Sequence, residues 1–159
     1  MLKYPRILLK LSGEALMGES RDSVDTETVA FILQQVKDVL ALGVKVGIVI
    51  GGGNFFRGVA GSDKLGIQRA NADTMGMLAT VMNGILLRDS FNAQGIDAKL
   101  FSAFAVGSFI KGYNRDSMIK RLNDGDVVIF VGGTGSPYFT TDSGAALRGL
   151  EMNADLLIK

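Results

Sequence analysis

Apolar residues in this chain fall into short runs separated by longer amphipathic stretches. Arg6-Ile7-Leu8-Leu9-Lys10-Leu11, Val44–Ile50 (VKVGIVI) and Asp126–Val131 (DVVIFV) are compact and β-branched enough to predict buried strands. Shorter strands are expected at Asp97–Phe101 and Ala154–Ile158. Between the first two strands, Val29, Ile32, Leu33, Val36, Val39 and Leu40 form one stripe at helical spacing. Asp25 is placed to cap that helix, expected from about Thr26 to Leu42, and Gly43 lies just past its end. A long helix is expected from about Arg69 to Gln94, with Met75, Leu78, Ala79, Met82, Ile85 and Leu86 as its apolar face. That face suits core or subunit-interface packing, or, through its methionines, an adaptable binding surface. Arg115–Asn123, with Met118, Ile119 and Leu122 inward, and Ser143–Met152 complete the helices. Strands alternating with helices predict an α/β fold, a three-layer αβα sandwich on a mainly parallel sheet.

The polar positions concentrate where strands end. The strands ending at Lys10, Ile50 and Val131 open into Ser12-Gly13-Glu14, Gly51-Gly52-Gly53 and Gly132-Gly133-Thr134-Gly135-Ser136-Pro137-Tyr138-Phe139-Thr140-Thr141-Asp142. Open α/β sheets place ligands at such carboxyl ends. Three glycines after a buried strand are expected to permit positive φ and close approach of a ligand to backbone N–H groups. Arg57 follows with a fork suited to phosphate. A glycine-rich turn that only reverses the chain is the plainer alternative. Asp73 either faces the same pocket or complements a helix dipole in a first turn. Asp142 is either a helix cap or part of an anion site with Thr140 and Thr141. Neither the Walker A pattern nor Gly-x-Gly-x-x-Gly occurs, which disfavours a familiar P-loop or a dinucleotide site.

Composition narrows the chemistry. A chain of 159 residues fits one domain, here residues 1–159, and a net charge of +1 gives no overall field for nucleic acid. No apolar run is long enough for a membrane span and no secretory leader is visible, so a cytoplasmic location is expected. The chain has no cysteine and no histidine. Thiolate chemistry and histidine-based acid–base catalysis are therefore excluded. Phosphoryl transfer, which relies on positioning and charge stabilisation, remains compatible with the residues present.

The segments RILLKLSGEAL (Arg6–Leu16), VGIVIGGGNFFRG (Val46–Gly58), DTMGMLATVMNG (Asp73–Gly84) and GTGSPYFTTDSGAALRGLE (Gly133–Glu151) resemble the bacterial uridylate (UMP) kinases of the amino acid kinase superfamily. The resemblance implies transfer of the ATP γ-phosphoryl to UMP with Mg²⁺, in pyrimidine nucleotide synthesis. It implies that Lys10, Leu11, Ser12, Gly13, Gly53 and Arg57 serve ATP. UMP would be held by Gly52, Asp73, Thr134, Gly135, Ser136, Pro137, Tyr138, Phe139, Thr140 and Thr141. Lys10, Asp142 and Arg57 would be catalytic, with Asp142 orienting Lys10. No metal ligand is assigned, and a homo-oligomer, a hexamer by resemblance, is expected.

Two departures are visible. The family continues beyond the point matching Lys159, so the ATP-binding part is expected to be missing, the chain to be truncated at its C-terminus, and these residues alone to lack kinase activity. Residues Gly18–Asp25 read GESRDSVD where the family carries a Gly-Phe-Gly-Ile-Asp-like stretch linked to control by GTP, so that control is not expected. The rival readings are an acetylglutamate, carbamate or aspartate kinase, and a non-catalytic nucleotide-binding or storage protein on the same fold. The Gly133–Asp142 stretch favours the UMP kinases over the first.

Overall fold

A computed structural model describes residues 2–19, 22–56 and 66–159. In chain order the elements are β1 (Arg6–Leu11), a 3₁₀ turn (Glu14–Leu16), α1 (Thr26–Ala41), β2 (Lys45–Ile50), α2 (Arg69–Ala93), β3 (Ala98–Ser102), α3 (Arg115–Asp124), β4 (Val127–Val131), α4 (Thr141–Glu151) and β5 (Leu156–Ile158). Local chemistry accounts for several boundaries. The Asp25 carboxylate accepts from the Thr28 N–H at 2.9 Å, capping α1. Asn114 does the same for α3 through the Ser117 N–H, and Gly125 ends that helix at φ 98°. The Thr140 hydroxyl caps α4, so Asp142 is not the N-cap but sits one residue inside the first turn.

The five strands form one parallel sheet in the order β3-β4-β2-β1-β5. Alternate residues of the central strands feed opposite faces, as strand geometry requires. Val46, Ile48 and Ile50 of β2 and Val127, Ile129 and Val131 of β4 pack with α1 and α2 in one core. Leu8, Val49, Val128 and Phe130 pack with Met118 and Leu122 of α3 and Ala145 and Met152 beside α4 in the other. The result is the expected three-layer sandwich.

This layering follows from connectivity. The chain crosses the sheet one way from β1 through β2 to β3, with α1 and α2 on the first face. It returns from β3 through β4 to β5 with α3 and α4 on the second. Crossovers of a single hand demand that switch of face when the direction reverses. Neighbouring strands β2 and β4 therefore send their following chain to opposite faces. A crevice must open between their carboxyl ends.

The face of α2 departs from the sequence expectation. Met75, Leu78 and Met82 are exposed, and Ile85 and Leu86 are only partly buried. The buried stripe is Ala72, Ala79, Thr80, Asn83, Gly84, Leu87 and Phe91, small and polar residues toward the N-terminal half. Close approach explains the choice. A Cβ on Gly84 would lie 2.3 Å from Val131 Cγ1 and 2.7 Å from Leu100 Cδ1. Larger side chains on this stripe would push the helix off β3 and β4.

Candidate functional site

The crevice between β2 and β4 holds a cavity of about 250 Å³. Its floor is the glycine loop, Gly52 and Gly53, and one wall is the N-terminal half of α2. The opposite wall comes from Gly133, Thr134, Ser136, Phe139, Thr140 and Thr141 after β4. Of the residues expected to hold UMP, Gly52, Asp73, Thr134, Ser136, Phe139, Thr140 and Thr141 meet there, while Gly135, Pro137 and Tyr138 lie in the same loop without lining it.

The triple glycine works by close approach rather than by unusual φ. None of Gly51, Gly52 and Gly53 has a positive φ, contrary to expectation; in the β4 loop Gly132 and Gly135 do, at 78° and 83°. A Cβ on Gly52 would come within 2.7 Å of both Ala79 Cβ and the Gly76 carbonyl oxygen. A Cβ on Gly13 would come within 2.4 Å of the Gly53 nitrogen, so the loops after β1 and β2 touch backbone to backbone. Gly51 N–H donates to the Leu11 carbonyl at 2.8 Å. Leu11 itself turns its side chain into the core, and the Ser12 hydroxyl accepts from the Ala15 N–H within the 3₁₀ turn.

Two side chains of α2 lock these loops in place. Buried Asn83 donates to the Gly51 carbonyl at 2.7 Å and exchanges hydrogen bonds with Asn54. Buried Thr80 donates to the Met77 carbonyl and accepts the Gly132 N–H, both at 2.7 Å. The sequence gives no periodic sign of either, because both sit where an apolar stripe is sought.

Asp73 is the fifth residue of α2, in its second turn, so the first-turn dipole reading does not apply. Its carboxylate accepts the Tyr138 N–H at 2.8 Å and pairs with Arg69 Nε at 3.0 Å. Tyr138 sits at φ 71°, a costly conformation for a residue with a side chain, and this hydrogen bond holds it there. The Tyr138 N–H, ahead of the Arg69 guanidinium, keeps the Asp73 carboxyl below the ordinary carboxylate range. Asp73 is thus an ionised acceptor at neutral pH.

A second cluster stands beside the cavity. Lys10, one residue before the end of β1, lies on the α4 side of the sheet; its side chain is 13% exposed and its ammonium pairs with Asp142 at 3.0 Å. Lys159, which the sequence reading does not single out, closes on the other Asp142 oxygen at 2.6 Å. Hydrogen bonds from Lys159 and then Lys10 lower the Asp142 pKa. A depressed carboxylate favours the folded state above its unfolded pKa, and that contribution is lost only as pH falls through the folded value. Asp142 therefore stays ionised across the neutral range. Asp142 directly follows Thr141 of the cavity wall along α4, while Lys10, Asp142 and Lys159 themselves do not line the cavity. Arg57 lies outside the described residues.

This is the architecture of an open α/β protein that takes its ligand at the carboxyl ends of its strands, where the strand order reverses. The chain belongs to the amino acid kinase family, whose model matches residues 5–159. It is similar to the UMP kinase of Bacillus anthracis, with 34% identity and a TM-score of 0.91 over 98% of this chain and 65% of that one. The UMP kinase of Ureaplasma parvum aligns with 32% identity and a TM-score of 0.90, over 98% of this chain and 68% of that one. The chain thus spans about two thirds of the length of these two proteins. Among the described residues no helix is long and apolar enough to cross a membrane.

Proposed function

We propose that the full-length protein is a UMP kinase, in which a UMP phosphate oxygen attacks the γ-phosphorus of ATP, ADP leaves, and UDP forms. The observation that carries this reading is that the β2–β4 cavity and the Lys10–Asp142–Lys159 cluster share the start of α4, through the consecutive residues Thr141 and Asp142. The cavity offers one ionised acceptor, Asp73, for ribose hydroxyls. Backbone and threonine donors at the start of α4 suit an anionic phosphate. Lys10 supplies fixed positive charge against the negative charge that develops on the transferring group, and Asp142 holds that ammonium in place. The similarity to two UMP kinases supports the same reading. Ser12, Gly13 and Gly53 would serve the ATP side.

Mg²⁺ would arrive on the phosphates of ATP, a usual mode for this ion; among the described residues no three His, Cys, Asp or Glu gather into a metal-holding group. The exposed Met75, Leu78 and Met82 of α2 support the expected homo-oligomer, since such a stripe suits a subunit interface.

The assignment of Asp73 is tested by Asp73→Asn. This change keeps the size but removes the charge from hydrogen bonds that are each worth about 1.5–3 kcal/mol. UMP affinity is expected to fall about tenfold or more, with preference for UMP over dUMP lost and ATP affinity little changed. Unaltered UMP binding with a lowered melting temperature would make Asp73 a purely structural strap for the Tyr138 loop.

A further inference from the structure

Arg69 and Asp73 are the only charged side chains on the cavity wall among the described residues. Arg69 is the first residue of α2, where a cation opposes the helix dipole. The pair also runs Arg before Asp, the less favourable order for an i,i+4 contact. With Arg69 about half exposed, helix stability does not account for it. Its Nε is instead shared between both oxygens of Asp73, each at 3.0 Å. Asp73 in turn reaches across to the Tyr138 N–H.

We propose that Arg69 is a positioning residue for sugar recognition: it fixes the rotamer of the Asp73 carboxylate and offsets its negative charge, so that the cavity admits an anionic mononucleotide while Asp73 accepts its ribose hydroxyls. The inference rests on the UMP reading above. Without Arg69, a partly buried carboxylate would repel the phosphate and rotate away from its aim. Discrimination between ribose and deoxyribose then depends on a residue that touches no sugar. The alternative chemistry for an arginine here is a direct phosphate contact, and the two separate experimentally.

The test is calorimetric titration of UMP, dUMP and uridine into the wild-type chain, Arg69→Gln, Arg69→Lys, Asp73→Asn and the Arg69→Gln/Asp73→Asn double variant. Arg69→Gln is expected to weaken UMP about tenfold and to bring the UMP-to-dUMP ratio close to that of Asp73→Asn. Uridine affinity should fall as well, and Arg69→Gln should add less than about twofold in the Asp73→Asn background. Arg69→Lys, which keeps the charge without the fork, should retain affinity better than it retains the ratio. Uridine affinity unchanged, the ratio preserved and effects additive with Asp73→Asn would overturn the proposal in favour of a phosphate contact. Wild-type protein that binds none of the three would remove the UMP reading and this inference with it, whereas wild-type binding with an indifferent Arg69 removes the inference alone.

Discussion

Lys10→Met in the full-length protein is expected to lower kcat for UMP phosphorylation by about 10²-fold or more, roughly 3 kcal/mol of transition-state stabilisation. The side chain it replaces is largely withdrawn from solvent, and its ammonium is held 3.0 Å from Asp142 near the end of β1. In such a setting a charge acts on a developing charge with little screening. Methionine matches the length of the lysine stem, so packing beneath the site should survive. Because Lys10 does not line the cavity, KM for UMP should change little. Asp142, left with Lys159, retains one partner. Steady-state kinetics checks the split: unchanged kcat would make Lys10 a structural partner of Asp142.

The second large effect is at Gly52. Gly52→Ala places a methyl 2.7 Å from Ala79 Cβ and the Gly76 carbonyl oxygen and 3.0 Å from the Thr80 nitrogen. These are mostly backbone atoms of a long helix and cannot swing aside. The glycine loop must lift from α2, at a cost of about 1–3 kcal/mol. Lifting it also deforms the cavity floor, so UMP affinity should drop with stability. Gly76, on the same wall, makes the control: a Cβ there meets nothing within 4 Å. Gly76→Ala should be neutral or stabilise by up to about 1 kcal/mol through helix propensity. Thermal melting of both variants reads the contrast. Equal melting temperatures would show that Gly52 is not needed for the close approach of loop and helix.

These two glycines show what could be read in the sequence and what could not. The β1, β2 and β4 strands were legible because both faces of a parallel sheet are buried, which produces dense apolar runs. The ends of α1 were legible because Asp25 and Gly43 carry capping chemistry in single residues. The location of the β2–β4 cavity was legible too, since glycines and hydroxyls cluster after strands. The working face of α2 was not. Apolar periodicity points to Met75, Leu78 and Met82 together with Ala79, whereas packing against β4 and the glycine loop keeps only Ala79 of these and selects Thr80, Asn83 and Gly84 beside it for size. Hydrophobicity reports what water expels and is silent about how closely two backbones must approach. The pairing of Asp142 with Lys10 was expected from the family resemblance, but the Tyr138 partner of Asp73 and the Lys159 partner of Asp142 were hidden for a different reason. Tyr138 contributes a backbone N–H, and Lys159 a side chain 17 residues away, and neither contact has a sequence period.

A ligand panel shows whether the β2–β4 cavity is a UMP site. Calorimetry on this chain with UMP, dUMP, N-acetylglutamate, aspartate and carbamate requires no turnover and depends only on the cavity. A UMP site gives saturable one-to-one binding of UMP, weaker binding of dUMP and no heat of binding from the amino acids or carbamate. Preference for an amino acid or carbamate, or no binding of UMP, would contradict it.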